Sequence, residues 1–171
     1  MHRSIIRAGL LGAVAIAGAA HAAPLKPQKL EIMLRAEVLV ANGVEIKADG
    51  WDITKEQPIK WGGDKKKFDS LTLQVIAKSR VGKVWVKFAD AVEPRLVHED
   101  DVDAYFKVGA KVGGKDVGTE PVEVVTKEQA ASGKPIELVI MPGEASDKIK
   151  AAPVPGKYTG TVPLVFETEV E

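Results

Sequence analysis

Leu30-Glu-Ile-Met-Leu-Arg-Ala-Glu-Val38 sets Leu30, Ile32, Leu34, Ala36 and Val38 on alternate positions, with Glu31, Arg35 and Glu37 between them. Successive strand side chains point to opposite faces, so the five apolar residues share one face and the charges share the other. A strand of this kind has to bury its apolar face against a sheet, and what it is buried against decides both fold and function. The segments around it repeat the pattern. Leu71, Leu73, Val75 and Ala77 alternate over 71–77, and Val84, Val86 and Phe88 alternate over 84–88 with Trp85 opposite. The short link between these two stretches, containing Gly82, predicts a hairpin. Gly113-Gly114 predicts a tight turn between 105–112 and 115–117. Further strands are predicted at 121–125, 136–141 and 157–170, with one helical turn over 127–132 ended by Gly133. Short Val-, Ile- and Thr-rich strands separated by Gly, Pro, Asn and Asp turns describe an all-β sandwich. No segment keeps a 3.6-residue apolar period for long.

Upstream of the opening strand, residues 1–22 have the three parts of an export signal: Arg3 and Arg7, an uncharged apolar run over 8–20, and Ala20-His21-Ala22 as an A-x-A cleavage site. The run falls short of the ~20 residues that a spanning helix requires. Cleavage would leave 149 of the 171 residues, a length that suits one domain. The signal holds two Arg and no acid, so 22 basic and 24 acidic residues remain, a balance without the basic surplus that nucleic acid requires. Residues 23–29, with Pro24 and Pro27, read as an extended leader.

The composition removes most site chemistry. There is no cysteine, although an exported chain can form disulfides. His2 and His21 lie in the signal, leaving His98 as the one histidine of the mature chain, read as a surface residue. No catalytic constellation, metal site or cofactor site is expected. Gly62-Gly63-Asp64-Lys65 and Gly113-Gly114-Lys115-Asp116 lack the spacing of a phosphate loop and read as hairpin or surface loops. His98-Glu99-Asp100-Asp101-Val102-Asp103 has the oxygen density for calcium without the Gly and distal Glu of a calcium loop, and reads as a solvated turn. Trp51, Trp61 and Trp85 read as core residues, with a sugar-binding face as the alternative. Lys65, Lys66 and Lys67 read as a solvated loop.

The end of the chain carries more. Over Pro155-Gly156-Lys-Tyr158-Thr-Gly160-Thr-Val162-Pro-Leu164-Val-Phe166, alternation puts Tyr158, Val162, Leu164 and Phe166 on one face, where Gly160 leaves a gap. Pro163 cannot donate to a ladder, which predicts an edge strand or a bulge. Exposed edges invite pairing with another chain.

These features together resemble the major pilins of the alternate chaperone–usher (alpha-type, class 5) fimbriae, the colonisation factor antigen I and coli surface antigen type. The resemblance runs from about Lys29 to Thr168. It rests on the strand 30–38 leading to Lys47-Ala-Asp-Gly50, the strands 71–77 and 83–88, the hairpin Lys111-Val-Gly-Gly-Lys115, and the ending Pro155-Gly-Lys-Tyr-Thr-Gly160 with Val162-Pro-Leu-Val-Phe166. The leader is longer and the chain more charged than the family leads one to expect. The resemblance implies an immunoglobulin-like β-sandwich that is incomplete, lacking its last strand, and is completed by donor-strand exchange. Leu30, Ile32, Leu34, Ala36 and Val38 then match the donor strand, and Tyr158, Val162, Leu164 and Phe166 border the acceptor groove. The implied domains are a signal peptide over 1–22, an N-terminal extension over 23–41 and a pilin domain over 42–171. The implied partners are other copies of the chain, a periplasmic chaperone, an outer-membrane usher and a minor tip adhesin, with export through the periplasm to a surface fimbria that supports cell adhesion. The alternative from the residues alone is an exported monomeric immunoglobulin-like binding module.

Overall fold

The computed structural model describes residues 30–32, 43–62, 67–89, 91 and 93–168, the first three by their backbone. The strands are β1 (Leu30–Ile32), β2 (Val44–Asp49), β3 (Gln57–Ile59), β4 (Trp61–Gly62), β5 (Lys67–Phe68), β6 (Leu71–Ser79), β7 (Val84–Phe88), β8 (Arg95–His98), β9 (Asp101–Val112), β10 (Lys115–Asp116), β11 (Val122–Val125), β12 (Pro135–Ala145), β13 (Tyr158–Thr159) and β14 (Leu164–Thr168). Two short helices, α1 (Lys127–Ser132) and α2 (Asp147–Ala151), interrupt them. The larger sheet runs β13-β8-β9-β12-β6-β2, with β10 folded back on β9, and the smaller runs β11-β7-β14. The chain is an all-β sandwich.

Alternation places the core. Leu73, Val75 and Ala77 of β6, Phe106, Val108, Ala110 and Val112 of β9, and Leu138 and Ile140 of β12 are buried on the inner face of the larger sheet. Val84, Val86 and Phe88 of β7, with Leu164 and Phe166 of β14, meet them from the smaller sheet. The Gly113-Gly114 turn sets Lys115 opposite Val112, as predicted. The helical turn at 127–132 forms because Thr126 and Gln129 cap it reciprocally: each backbone N–H donates to the other's side-chain oxygen, at 3.4 Å and 3.3 Å.

Three sequence readings are corrected. The strands at 71–79 and 84–88 are not hairpin neighbours, because β6 pairs β12 and β2 while β7 pairs β11 and β14. The link between them crosses from one sheet to the other. It turns on Ser79, 2 % exposed, whose Oγ accepts from the N–H groups of Val81 and Gly82 at 3.2 Å and 3.3 Å. The strand predicted over 157–170 is broken. β13 is the edge of the larger sheet and β14 the edge of the smaller, so the chain changes sheets across residues 160–163. Pro163 stands just before β14, and its carbonyl accepts the Ala89 N–H at 3.0 Å. Finally, His98 is buried rather than on the surface.

Gly160 explains where the break falls. A Cβ there would collide with the Arg95 carbonyl of β8, so only a bare backbone can pass. What reads in sequence as a gap in the apolar face is a close approach of two chain segments. Gly160→Ala is therefore expected to cost roughly 1–3 kcal/mol through forced displacement of β8 or of the crossing, read as a lower urea midpoint. An unchanged midpoint would show that the approach is relieved cheaply.

Candidate functional site

The candidate site is a pair of strand edges along one side of the sandwich that carry no further strand among the described residues. Among the described residues β14 pairs with β7 alone, and β2 pairs with β6 alone. β2 and β14 belong to opposite sheets and run near each other. The seam is tied at one end, where the Thr168 hydroxyl donates to the Lys83 carbonyl at 2.7 Å and lies 3.1 Å from Ser79 Oγ. With the Thr168 proton committed to Lys83, Ser79 is the donor to Thr168, which uses the last bonding capacity of that buried hydroxyl. Elsewhere the outer backbone edge of β14 has no strand beside it among the described residues, and such an edge is a template for another strand.

All four residues predicted to border a groove are buried in the core, Leu164 and Phe166 on the inner face of β14. Tyr158, Val162, Leu164 and Phe166 are 2–4 % exposed. They are divided between the two sheets: Tyr158 lies in β13, Leu164 and Phe166 in β14, and Val162 in the crossing. Tyr158 anchors the upper end. Its hydroxyl donates to the Val154 carbonyl at 2.6 Å, four residues upstream, the tyrosine corner found in immunoglobulin-like sandwiches. Its ring meets Phe68, Phe106 and His98 edge-on at 6.0, 5.4 and 5.1 Å. Burial, with a smaller push from the Asp101 charge, raises the Tyr158 phenol above its ordinary value. The hydroxyl therefore stays a donor into alkaline conditions.

His98 serves this corner. Its Nδ1 accepts the Asp100 N–H at 3.1 Å, which leaves the proton on Nε2 to face the Pro155 carbonyl at 3.2 Å. A Cβ on residue 156 would run into the ring, which accounts for Gly156. Sequence reasoning missed the pairing of Tyr158 with His98 and Thr159 with Val97, because a two-residue strand has no periodicity to see. The signal that could have revealed the corner is the spacing Val154 to Tyr158 at the entry to a late strand.

The start of the predicted donor strand is also placed. Leu30, Glu31 and Ile32 pair antiparallel with Ile59, Pro58 and Gln57, and β1 passes close to β13. Leu34, Ala36 and Val38 lie outside the described residues.

The remaining candidates are not brought together. Trp51 donates from Nε1 to the Gln74 carbonyl at 2.6 Å at the β2–β6 edge. Trp61 packs edge-on against Phe68 at 4.7 Å, and Trp85 lies on β7 in the smaller sheet. They share no face. Glu99 and Asp100 form a turn, whereas Asp101 and Asp103 begin β9. The Asp101 carboxylate takes Lys148 of α2 at 2.6 Å, which holds it below the usual carboxylate range. Among the described residues no group of three or more acidic or histidine side chains could hold a metal ion. Gly62 and Lys67 pair across a hairpin that encloses residues 63–66, which lie outside the described residues.

Tyr158→Phe keeps the ring and removes the bond to Val154. It should cost about 1 kcal/mol at neutral pH, read in urea unfolding. The raised phenol gives a second readout. The folded chain resists ionising Tyr158 while the unfolded chain ionises near its ordinary value, so stability is complete below about pH 10 and declines above it. That alkaline decline should be shallower in the Phe variant.

A family model described as the CS1 type fimbrial major subunit matches residues 28–167. Among solved structures, the CooA pilin subunit from enterotoxigenic Escherichia coli superposes with a TM-score of 0.50 at 14 % sequence identity, covering 76 % of this chain and 99 % of that one. At that identity the likeness is one of fold. No curated protein matches the sequence.

Proposed function

The chain belongs to the CS1 type fimbrial major subunits, structural rather than enzymatic proteins of a surface pilus, and on that premise we propose that its copies are joined by donor-strand exchange. The observation that carries the reading is the outer edge of β14, which among the described residues has no strand beside it, lies over a core of Leu164 and Phe166 and runs near the β2 edge, unpaired in the same sense. The occupant is the N-terminal extension of the next copy, with Leu30, Ile32, Leu34, Ala36 and Val38 directed inward. Strand addition supplies both parts of the recognition. Main-chain hydrogen bonds satisfy the β14 edge, and alternate side chains enter the core and set position.

Residues 1–22 are the export signal, 23–41 the extension and 42–171 the domain that accepts it. Before assembly the edge needs a temporary strand, which a periplasmic chaperone supplies; an outer-membrane usher then exchanges it for the incoming extension. A minor tip adhesin caps the fibre, which supports adhesion of the cell. The match to a family of major subunits fits a place in the shaft of the fibre.

The β1–β3 pairing favours a second reading, a monomeric module that keeps its own strand. Among the described residues that ladder covers Leu30–Ile32 and passes close to β13. Expressing the mature chain with and without residues 23–41, with no chaperone present, separates the two. Donor-strand exchange expects the truncated chain to be unstable alone and to be rescued by a peptide of residues 29–40 or by the full chain. A full-length chain that is a stable, non-exchanging monomer with residues 30–38 in its own sheet would end the fimbrial mechanism proposed here. Ile32→Asp removes about 1.5–3 kcal/mol of apolar burial and sends a charge into the core. It should abolish donation into a neighbour while leaving acceptance of a wild-type strand intact, measured by mixing variant and wild-type chains and scoring heat-resistant multimers.

A further inference from the structure

The β14 edge offers an incoming strand more than backbone. Its inward residues are Leu164 and Phe166, and its outward ones are Val165 and Glu167. Glu167 is a fixed charge. Its carboxylate is held by Lys87 of β7, with Nζ 3.1 Å from one oxygen and 3.3 Å from the other, and its side chain is one-third exposed. The pairing of Glu167 with Trp85 across the ladder places it on the outer face of the smaller sheet, beside the open edge.

A strand added here has to keep its apolar residues inward, so its outward residues face Val165 and Glu167. For the extension these are Glu31, Met33, Arg35 and Glu37. A slip of one residue would turn the apolar face out, so only slips of two are open. Each pairing between described strands is antiparallel, and the added strand is taken to continue that arrangement. Four registers then differ in what they set against Glu167. Glu31 or Glu37 there opposes like charges directly across the ladder, which destabilises the pair. Met33 there leaves the carboxylate without a new partner and sets Leu34 against Phe166. Arg35 there sets opposite charges face to face, and the same register sets Ala36 against Phe166 and Val38 against Leu164, small against large.

We propose that Arg35 of one copy pairs with Glu167 of the next, and that this pair selects the register of the added strand. The inference rests on the donor-strand reading. It explains why charges alternate with the donor's apolar residues. Arg35 attracts at one register, and Glu31 and Glu37 penalise the slips that bring them to Glu167. The arrangement is Lys87–Glu167–Arg35 across three neighbouring strands.

Charge reversal in the full chain tests it. Arg35→Glu and Glu167→Arg should each slow formation of heat-resistant multimers about fivefold, the size of an unfavourable cross-strand charge pair. The double variant R35E/E167R should return to within about twofold of wild type. Circular dichroism reports whether Glu167→Arg, which also loses Lys87, still folds. If it does not, the milder pair Arg35→Gln and Glu167→Gln should give less than additive slowing when combined. Single variants that assemble at the wild-type rate, or a double variant as slow as the product of the singles, would overturn the register pair. Ile32→Asp, run alongside, keeps the two ideas apart. If it blocks donation while the charge variants assemble normally, exchange stands and the Arg35–Glu167 pair falls. If it too donates normally, the donor-strand reading itself fails.

Discussion

A β-strand's outer row of N–H and C=O groups must bond to something, and in this protein that requirement falls on β14. β14 is short, lies directly over the core and has β7 on one side alone among the described residues. The smaller sheet has three strands there, half the breadth of the sheet it packs against. Other features on this side of the molecule follow from holding such an edge in place. Ser79 and Thr168 tie its far end to the larger sheet, Pro163 and Ala89 close its near end, and Lys87 steadies Glu167 on its outer face. These contacts fix the direction of the edge and of the side chains beside it.

Lys107 joins Glu93 and Glu144, Lys150 joins Glu144 and Asp147, and Lys148 joins Asp101, around the larger sheet and α2. Exposed pairs of this kind add little stability. Their effect is to keep the broad face polar and well solvated, which discourages lateral association there.

Much of the fold could be read from alternation. The strands expected at 71–77 and 84–88, the Gly113-Gly114 turn and the capped helical turn at 127–132 follow from local pattern and turn chemistry and stand close to their expected bounds, whereas the strand expected at 105–112 begins earlier, at Asp101, inside the acidic stretch read as a turn. What could not be read was which strands are neighbours. The link at 79–83 is short enough for a hairpin, yet a buried Ser79 folds it into a crossing between sheets. The break at 160–163 was hidden for a related reason: alternation continues through Gly160 and Pro163, while the close approach that Gly160 permits is to Arg95, distant in sequence. His98 was misread because a lone histidine carries no period, and its burial depends on Tyr158 and Pro155 arriving from the end of the chain. The four inward residues of the ending were legible because each obeys the same alternation on both sides of the break.

That break has a mechanical consequence. One continuous segment is laced first into the larger sheet through β13 and then into the smaller through β14. A pull on β14 along its length acts against the β7 ladder in shear, with its hydrogen bonds strained side by side. Any slack that reaches residues 160–163 is taken up at once by β13, where the Tyr158 hydroxyl and the ring of His98 hold the corner. The two sheets therefore resist tension as a stitched seam does: neither can peel from the other until the thread itself gives.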